Sequence, residues 1–137
     1  MTTRLDRGLE KLAEIDGEAG QRVMTALQDI APDLARYIAE FAFGDVYSRP
    51  ELVPRDRQLV TIGVLSALGG CEAQLRVHVG AALNVGLTPR EIVEAVIHVV
   101  VYAGFPRALN AINVVREVFE ERGVGRDDLG WPDAVAR

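Results

Sequence analysis

Thr88-Pro89-Arg90-Glu91-Ile92-Val93-Glu94-Ala95-Val96-Ile97-His98-Val99-Val100-Val101-Tyr102-Ala103-Gly104 is the stretch on which the fold turns. Its centre is rich in β-branched residues and, taken alone, reads as a strand. Its flanks say otherwise. Thr88 offers a side-chain acceptor at an N-cap, Pro89 has the φ favoured at the first helical position, and Glu91 stands where it closes a capping box. The run is also longer than an ordinary strand, and Gly104 supplies a stop. The spacing therefore predicts a helix that opens at Pro89 and ends at Gly104. That helix is apolar nearly all round, so most of its surface must be buried. A chain of 137 residues has little material to enclose it, which points to a subunit interface.

The rest of the chain carries the same helical period. Leu5, Leu9, Leu12 and Ile15 form one stripe, broken at Asp16-Gly17. Val23, Leu27, Ile30, Leu34, Ile38 and Phe41 continue it, with Pro32 dividing the run into a helix that ends near Ile30 and one that starts at Pro32. Gly44 is expected to end the second. Two prolines between Ser48 and Pro54 mark a loop. Asp56 is expected to cap a helix through Leu59, Ile62, Leu65 and Leu68, stopped by Gly69-Gly70. The next helix carries Leu75, His78, Val79, Ala82 and Leu83 and ends at Asn84-Val85-Gly86. The last runs from Pro106 through Leu109, Ile112, Val115 and Phe119 to Gly123. No alternating strand pattern, repeat or linker interrupts this series, so the expectation is one all-α domain of six or seven helices over residues 1–137. The polar tail from Gly125 to Arg137 is expected either to be mobile or to dock on a partner subunit through Trp131.

Composition narrows the function. With 15 basic and 20 acidic residues the net charge is -5, which gives no support to a nucleic-acid partner. The first residues lack the apolar core of a signal peptide, and no apolar run reaches the length of a membrane span. One cysteine excludes an internal disulfide and fits a reducing compartment, so the expected location is the cytoplasm. Two histidines on separate helices, without clustered carboxylates, make a weak metal set. Gly69-Gly70 is a turn and not a phosphate loop, since no strand precedes it and no Lys-Ser/Thr follows. With no cofactor motif, the candidates for chemistry are Cys71 and His78 on one helix, and Glu94, His98 and Tyr102 on one stripe of the next.

Several segments, in order, resemble the carboxymuconolactone decarboxylase family, which also contains the alkylhydroperoxidase D-like proteins. They are Phe43-Gly44-Asp45-Val46-Tyr47-Ser48-Arg49-Pro50, Arg57-Gln58-Leu59-Val60-Thr61, Leu75-Arg76-Val77-His78, Ala82-Leu83-Asn84-Val85-Gly86-Leu87-Thr88 and Tyr102-Ala103-Gly104-Phe105-Pro106 with Ala108-Leu109-Asn110. They cover roughly the last two-thirds of the chain. The resemblance implies an alkylhydroperoxidase D-like orthogonal helical bundle, an obligate homotrimer or homohexamer, and active sites near subunit contacts.

The family has two branches, and one residue separates them here. The peroxidase branch carries Cys-x-x-Cys-x-x-x-His, in which one thiolate attacks peroxide and the second resolves the sulfenic acid. Cys71 and His78 fit that pattern, but Gln74 occupies the second cysteine position and no other thiol exists. The peroxidases also have a glutamate in the preceding helix; its nearest match is Gln58, one residue further away in spacing. The decarboxylase branch lacks the dithiol and keeps the histidine.

That branch needs no cofactor because the substrate supplies the electron sink. Loss of carbon dioxide from a carboxymuconolactone leaves a dienolate whose charge lies on the lactone oxygen. The protein must hold carboxylates, stabilise the oxyanion and return a proton to carbon. The resemblance assigns His78 as general acid/base, an imidazole ordinarily titrating near neutrality. Arg49 and Arg57, both in matched segments, are the candidates for substrate carboxylate, which their guanidinium forks suit, and His98 and Tyr102 are candidates to line the pocket. The bland alternatives are a satisfied core imidazole at His78, a Glu94 pair for His98, a packing role for Tyr102 and Cys71, and solvated or loop-bound arginines. Two other function classes stay open at this point: a thiol-dependent redox protein using Cys71, and a non-catalytic oligomeric binding protein.

Overall fold

The structure, a computed structural model, describes residues 1–132; Asp133–Arg137, the end of the polar tail, lie outside the described residues. Helices α1 (Arg4–Leu27), α2 (Pro32–Tyr37), α3 (Pro54–Leu68), α4 (Glu72–Asn84), α5 (Pro89–Ala103) and α6 (Phe105–Arg122) account for most of it. A π-helix spans Ile38–Tyr47 and a 3-10 turn spans Arg126–Leu129. No strand occurs among the described residues.

The capping box at the start of α5 is present in full: the Thr88 side chain accepts from the Glu91 backbone N–H, and the Glu91 carboxylate accepts from the Thr88 backbone N–H. Glu91 also pairs with Arg55, which ties the start of α5 to the start of α3. Both partners hold the Glu91 carboxyl below its usual range, the Thr88 N–H first. A second box, Thr3 with Asp6, opens α1.

Three local expectations change. Asp16-Gly17 does not end a helix but kinks α1, with Gly17 at φ 59°, ψ -139°, a conformation closed to residues bearing a Cβ. Gly44 does not terminate a helix; it lies inside the π-helix, buried. Both Gly8 and Gly44 are demanded by close approach, since a methyl on Gly8 would overlap the Ala39 carbonyl and one on Gly44 would crowd the Arg4 carbonyl. Asp56 does not cap α3, because Val53 holds the N-cap position and Pro54 follows it in the first turn.

Two apolar clusters form. The larger joins α3, α4, α5 and α6 through Ile62, Leu75, Val79, Ile92, Val96 and Val115, among others. The smaller joins α1, α2 and the π-helix through Leu12, Ile15, Met24, Ala35 and Phe43, with Ala81 of α4. The single chain does not enclose α5: only Ile92, Val96 and Val99 are buried, whereas Tyr102 is 80% exposed, Val101 72% and Ile97 48%. Phe105 and Leu109 at the start of α6 extend that exposed apolar face. The beginning of the tail does pack on its own chain. Leu129 lies against the larger cluster, and the Arg90 guanidinium stacks on the Trp131 ring at 4.1 Å while donating to the Gly130 carbonyl.

Candidate active site

His78 and Gln58 form one unit. His78 sits on α4, one turn after Leu75, with Val79 beside it in the core. Gln58 is fully buried in the first turns of α3 and accepts a hydrogen bond through Oε1 from His78 Nδ1–H at 3.0 Å. A carboxamide oxygen only accepts, so Nδ1 must carry the proton and Nε2 presents its lone pair. Burial lowers the His78 pKa from 6.5 to about 4, so the unliganded imidazole is neutral at pH 7. The other end of the amide, Gln58 Nε2, is buried without a hydrogen-bond partner. An unpaired buried donor costs about 1–3 kcal/mol, so this pair is not what stability alone would select.

The remaining candidates divide around this pair. Arg57, next to Gln58 on α3, donates from Nε to the Leu52 carbonyl at 2.9 Å and from Nη2 to the Arg49 carbonyl at 3.4 Å. It thus fastens the loop before α3 and retains Nη1 for another acceptor. Arg49 is exposed on that loop. Behind it, Tyr47 donates to the Thr61 hydroxyl, which itself donates to the Arg57 carbonyl at 2.9 Å. Tyr47 stacks on Phe43, so the π-helix, the loop and α3 are locked together here.

His98 and Tyr102 lie elsewhere, on the outer face of α5. Their rings meet edge to face with centroids 5.4 Å apart. His98 lines a cavity of about 600 Å³ between α3 and α5, with Leu59, Gly63, Glu94 and Val99; His78 is not among its lining residues.

Cys71 occupies the N-cap position of α4, where its thiol donates to the Gly69 carbonyl at 3.6 Å, and Gln74 is exposed one turn on. Among the described residues no three His, Cys, Asp or Glu side chains come together as a metal site, and no helix is long and apolar enough to cross a membrane.

The molecule is thus an all-helical protein built around a neutral, amide-anchored histidine, without a dithiol at the redox position. The sequence pattern of the carboxymuconolactone decarboxylase family matches residues 32–117, and the chain belongs to that family. It is 41% identical over 127 residues to 4-carboxymuconolactone decarboxylase of Acinetobacter baylyi, covering 92% of this chain and 94% of the relative. It is 32% identical over 121 residues to a nitrosuccinic acid decarboxylase of Metarhizium robertsii, covering 85% and 81%. An uncharacterized 15.0 kDa protein of Paracoccus denitrificans is 32% identical over 99 residues, covering 72% and 74%.

In the sequence Gln58 stands only as the nearest match to the peroxidases' glutamate; the structure makes it the partner of His78.

Proposed function

We propose that the chain is a cofactor-free carboxy-lyase acting on a small carboxylated lactone of the carboxymuconolactone type, with His78 as its acid/base residue. The observation that carries this reading is the neutral His78 imidazole held by Gln58, with Nε2 left to act. The named substrates of the two decarboxylase relatives support it. Each bears two carboxyl groups, and each can take the electron pair left by carbon dioxide onto oxygen: the lactone carbonyl in one, the nitro group in the other.

Arg57 Nη1 and Arg49 bind substrate carboxylate. The incoming negative charge raises the His78 pKa, so the imidazole takes up a proton at Nε2 as substrate binds. The carbon–carboxyl bond breaks, carbon dioxide leaves, and the electron pair becomes a ring dienolate. His78 Nε2 then delivers its proton to the carbon next to the lactone carbonyl and returns to the neutral tautomer fixed by Gln58. Cys71 takes no part.

A second copy completes the protein. The exposed apolar face of Ile97, Val101, Tyr102, Phe105 and Leu109 is the surface a homotrimer or homohexamer would cover, and His98 and Tyr102 would reach substrate from that contact. A cytoplasmic location accompanies this reading.

The test is direct. The protein is mixed with 4-carboxymuconolactone, without added cofactor, and carbon dioxide release and lactone consumption are followed. Release is expected, and His78→Ala should lower kcat/KM by about 10²–10⁴. No turnover, or an unaffected His78→Ala, would overturn the reading. Nitrosuccinate under the same conditions shows which electron sink the site accepts.

A further inference from the structure

A cavity among α1, α4 and α6 has neither His78 nor Gln58 in its lining. Asp16, in α1, is 7% exposed and lines this cavity of about 350 Å³; its Oδ1 is buried without a hydrogen-bond partner. Arg122, at the end of α6, lines the same cavity. Its guanidinium donates to Asn84 Oδ1 at 3.0 Å and to the Gly80 carbonyl at 3.3 Å, yet no carboxylate pairs with it among the described residues. A carboxyl and a guanidinium thus face one cavity without meeting each other.

Three glycines make this arrangement. Gly17 lets the chain kink immediately after Asp16. A methyl on Gly20 would overlap the Asp16 side chain, and one on Gly80 would stand 3.1 Å from Arg122 Nη2. Asn84 fixes the corner from below, donating to the Ile15 carbonyl at 2.9 Å while accepting from Arg122. Val23, Val77 and Val118 supply apolar wall.

The other charges facing the cavity sit toward solvent. Arg76 of α4 pairs with Glu117 and Glu121 of α6, and Arg22 of α1 lies 3.9 Å from Glu18. What remains is one acceptor at Asp16, one cationic fork at Arg122 and aliphatic wall. Burial raises the Asp16 pKa from 3.8 to about 6, consistent with a carboxyl that lacks a donor.

We propose that this cavity binds a small aliphatic α-hydroxy or α-amino carboxylate, its carboxylate on Arg122, its hydroxyl or ammonium donating to Asp16, and its alkyl group against the valines. The site is independent of the substrate reading for His78.

The test uses the intact protein with 2-hydroxy-4-methylpentanoate and leucine, followed by calorimetry and by the amide resonances of Gly17 and Gly80. Two controls each lack one group: 4-methylpentanoate has no α donor, and 3-methylbutylamine has no carboxylate. The two full ligands should bind, and each control should be weaker by about tenfold or more, because it leaves one charged partner unpaired. Binding near pH 6 should release protons, since a donor on Asp16 favours its ionised form; two buffers of different ionisation heat read that release. Asp16→Asn should abolish the release, and Arg122→Gln should remove the preference for a carboxylate. The proposal fails if neither full ligand moves Gly17 and Gly80. It also fails if 4-methylpentanoate matches them, or if Asp16→Asn binds with the same proton release. Should Arg122→Gln not fold, the Asp16→Asn result and the controls decide alone.

Discussion

Replacing Asp16 by Asn should expose an acid sensitivity that the native protein conceals. Two buried groups titrate in opposite directions over the same range. His78 has its folded pKa depressed to about 4 by burial, against 6.5 when free. The stability tied to its neutral form is present above 6.5 and is lost as pH falls through about 4. Across that gap, at about 1.4 kcal/mol per pH unit, the loss reaches ~3 kcal/mol. Asp16 has its folded pKa raised from 3.8 to about 6. The stability tied to its neutral form is present below 3.8 and is lost as pH rises through about 6, again up to ~3 kcal/mol. Between pH 6 and 4 the two contributions nearly cancel. Denaturant unfolding at a series of pH values measures this. The native protein should give a shallow profile in that window. Asp16→Asn should be more stable at pH 7 by up to ~3 kcal/mol and should lose that amount on acidification. His78→Gln should instead gain stability as pH falls from 6 to 4. If both variants trace the native profile, displaced only by a constant, the opposing titrations are refuted.

Three further outcomes are expected. Gln58→Glu should place a carboxylate against His78 Nδ1, raise the imidazole pKa from about 4 toward or above its ordinary value, and move the pH profile of kcat/KM accordingly; an unchanged His78 titration by NMR would contradict the pairing. Gly8→Ala should destabilise by roughly 1–3 kcal/mol, as overpacking against a backbone carbonyl does, whereas Gly63→Ala, where a Cβ meets nothing within 4 Å, should not; thermal unfolding separates the two. Cys71→Ser should leave decarboxylation within about twofold of native, because the thiol donates to the Gly69 carbonyl and not to the His78–Gln58 pair; a larger loss would return Cys71 to the chemistry.

The helical skeleton was legible because its signals are local. Thr88, Pro89 and Glu91 act within four residues of one another, and Gly104 and Gly123 mark stops through their own backbone angles. Gly44 misled for the complementary reason. Its smallness serves contact with a segment some forty residues earlier, which no local pattern reports. The π-helix is likewise a matter of distant packing, for Gly8 of α1 lies against its Ala39 carbonyl. At the site, residue types pointed to His78, but its state depends on Gln58 twenty residues away and on burial that only the fold creates. His98 illustrates the reverse: its spacing allowed a Glu94 pair, yet the structure places its ring against Tyr102. Asp16 read as part of a helix break, and nothing in its neighbours announced that the carboxyl would be buried.

The division into two apolar clusters carries a consequence for how the molecule breathes. The smaller cluster is made almost entirely by α1, α2 and the π-helix, and it meets the remainder through Ala81, Val85, the Asn84–Ile15 hydrogen bond and the Tyr47–Thr61 hydroxyl pair. Such a unit can detach as a cooperative foldon while α3 to α6 stay assembled. Native-state hydrogen exchange should then show the amides of α1 sharing one opening free energy, lower than that of α4 and α6. The excursion would strip one wall from α4 and momentarily wet the corner where Asp16 and Arg122 stand apart.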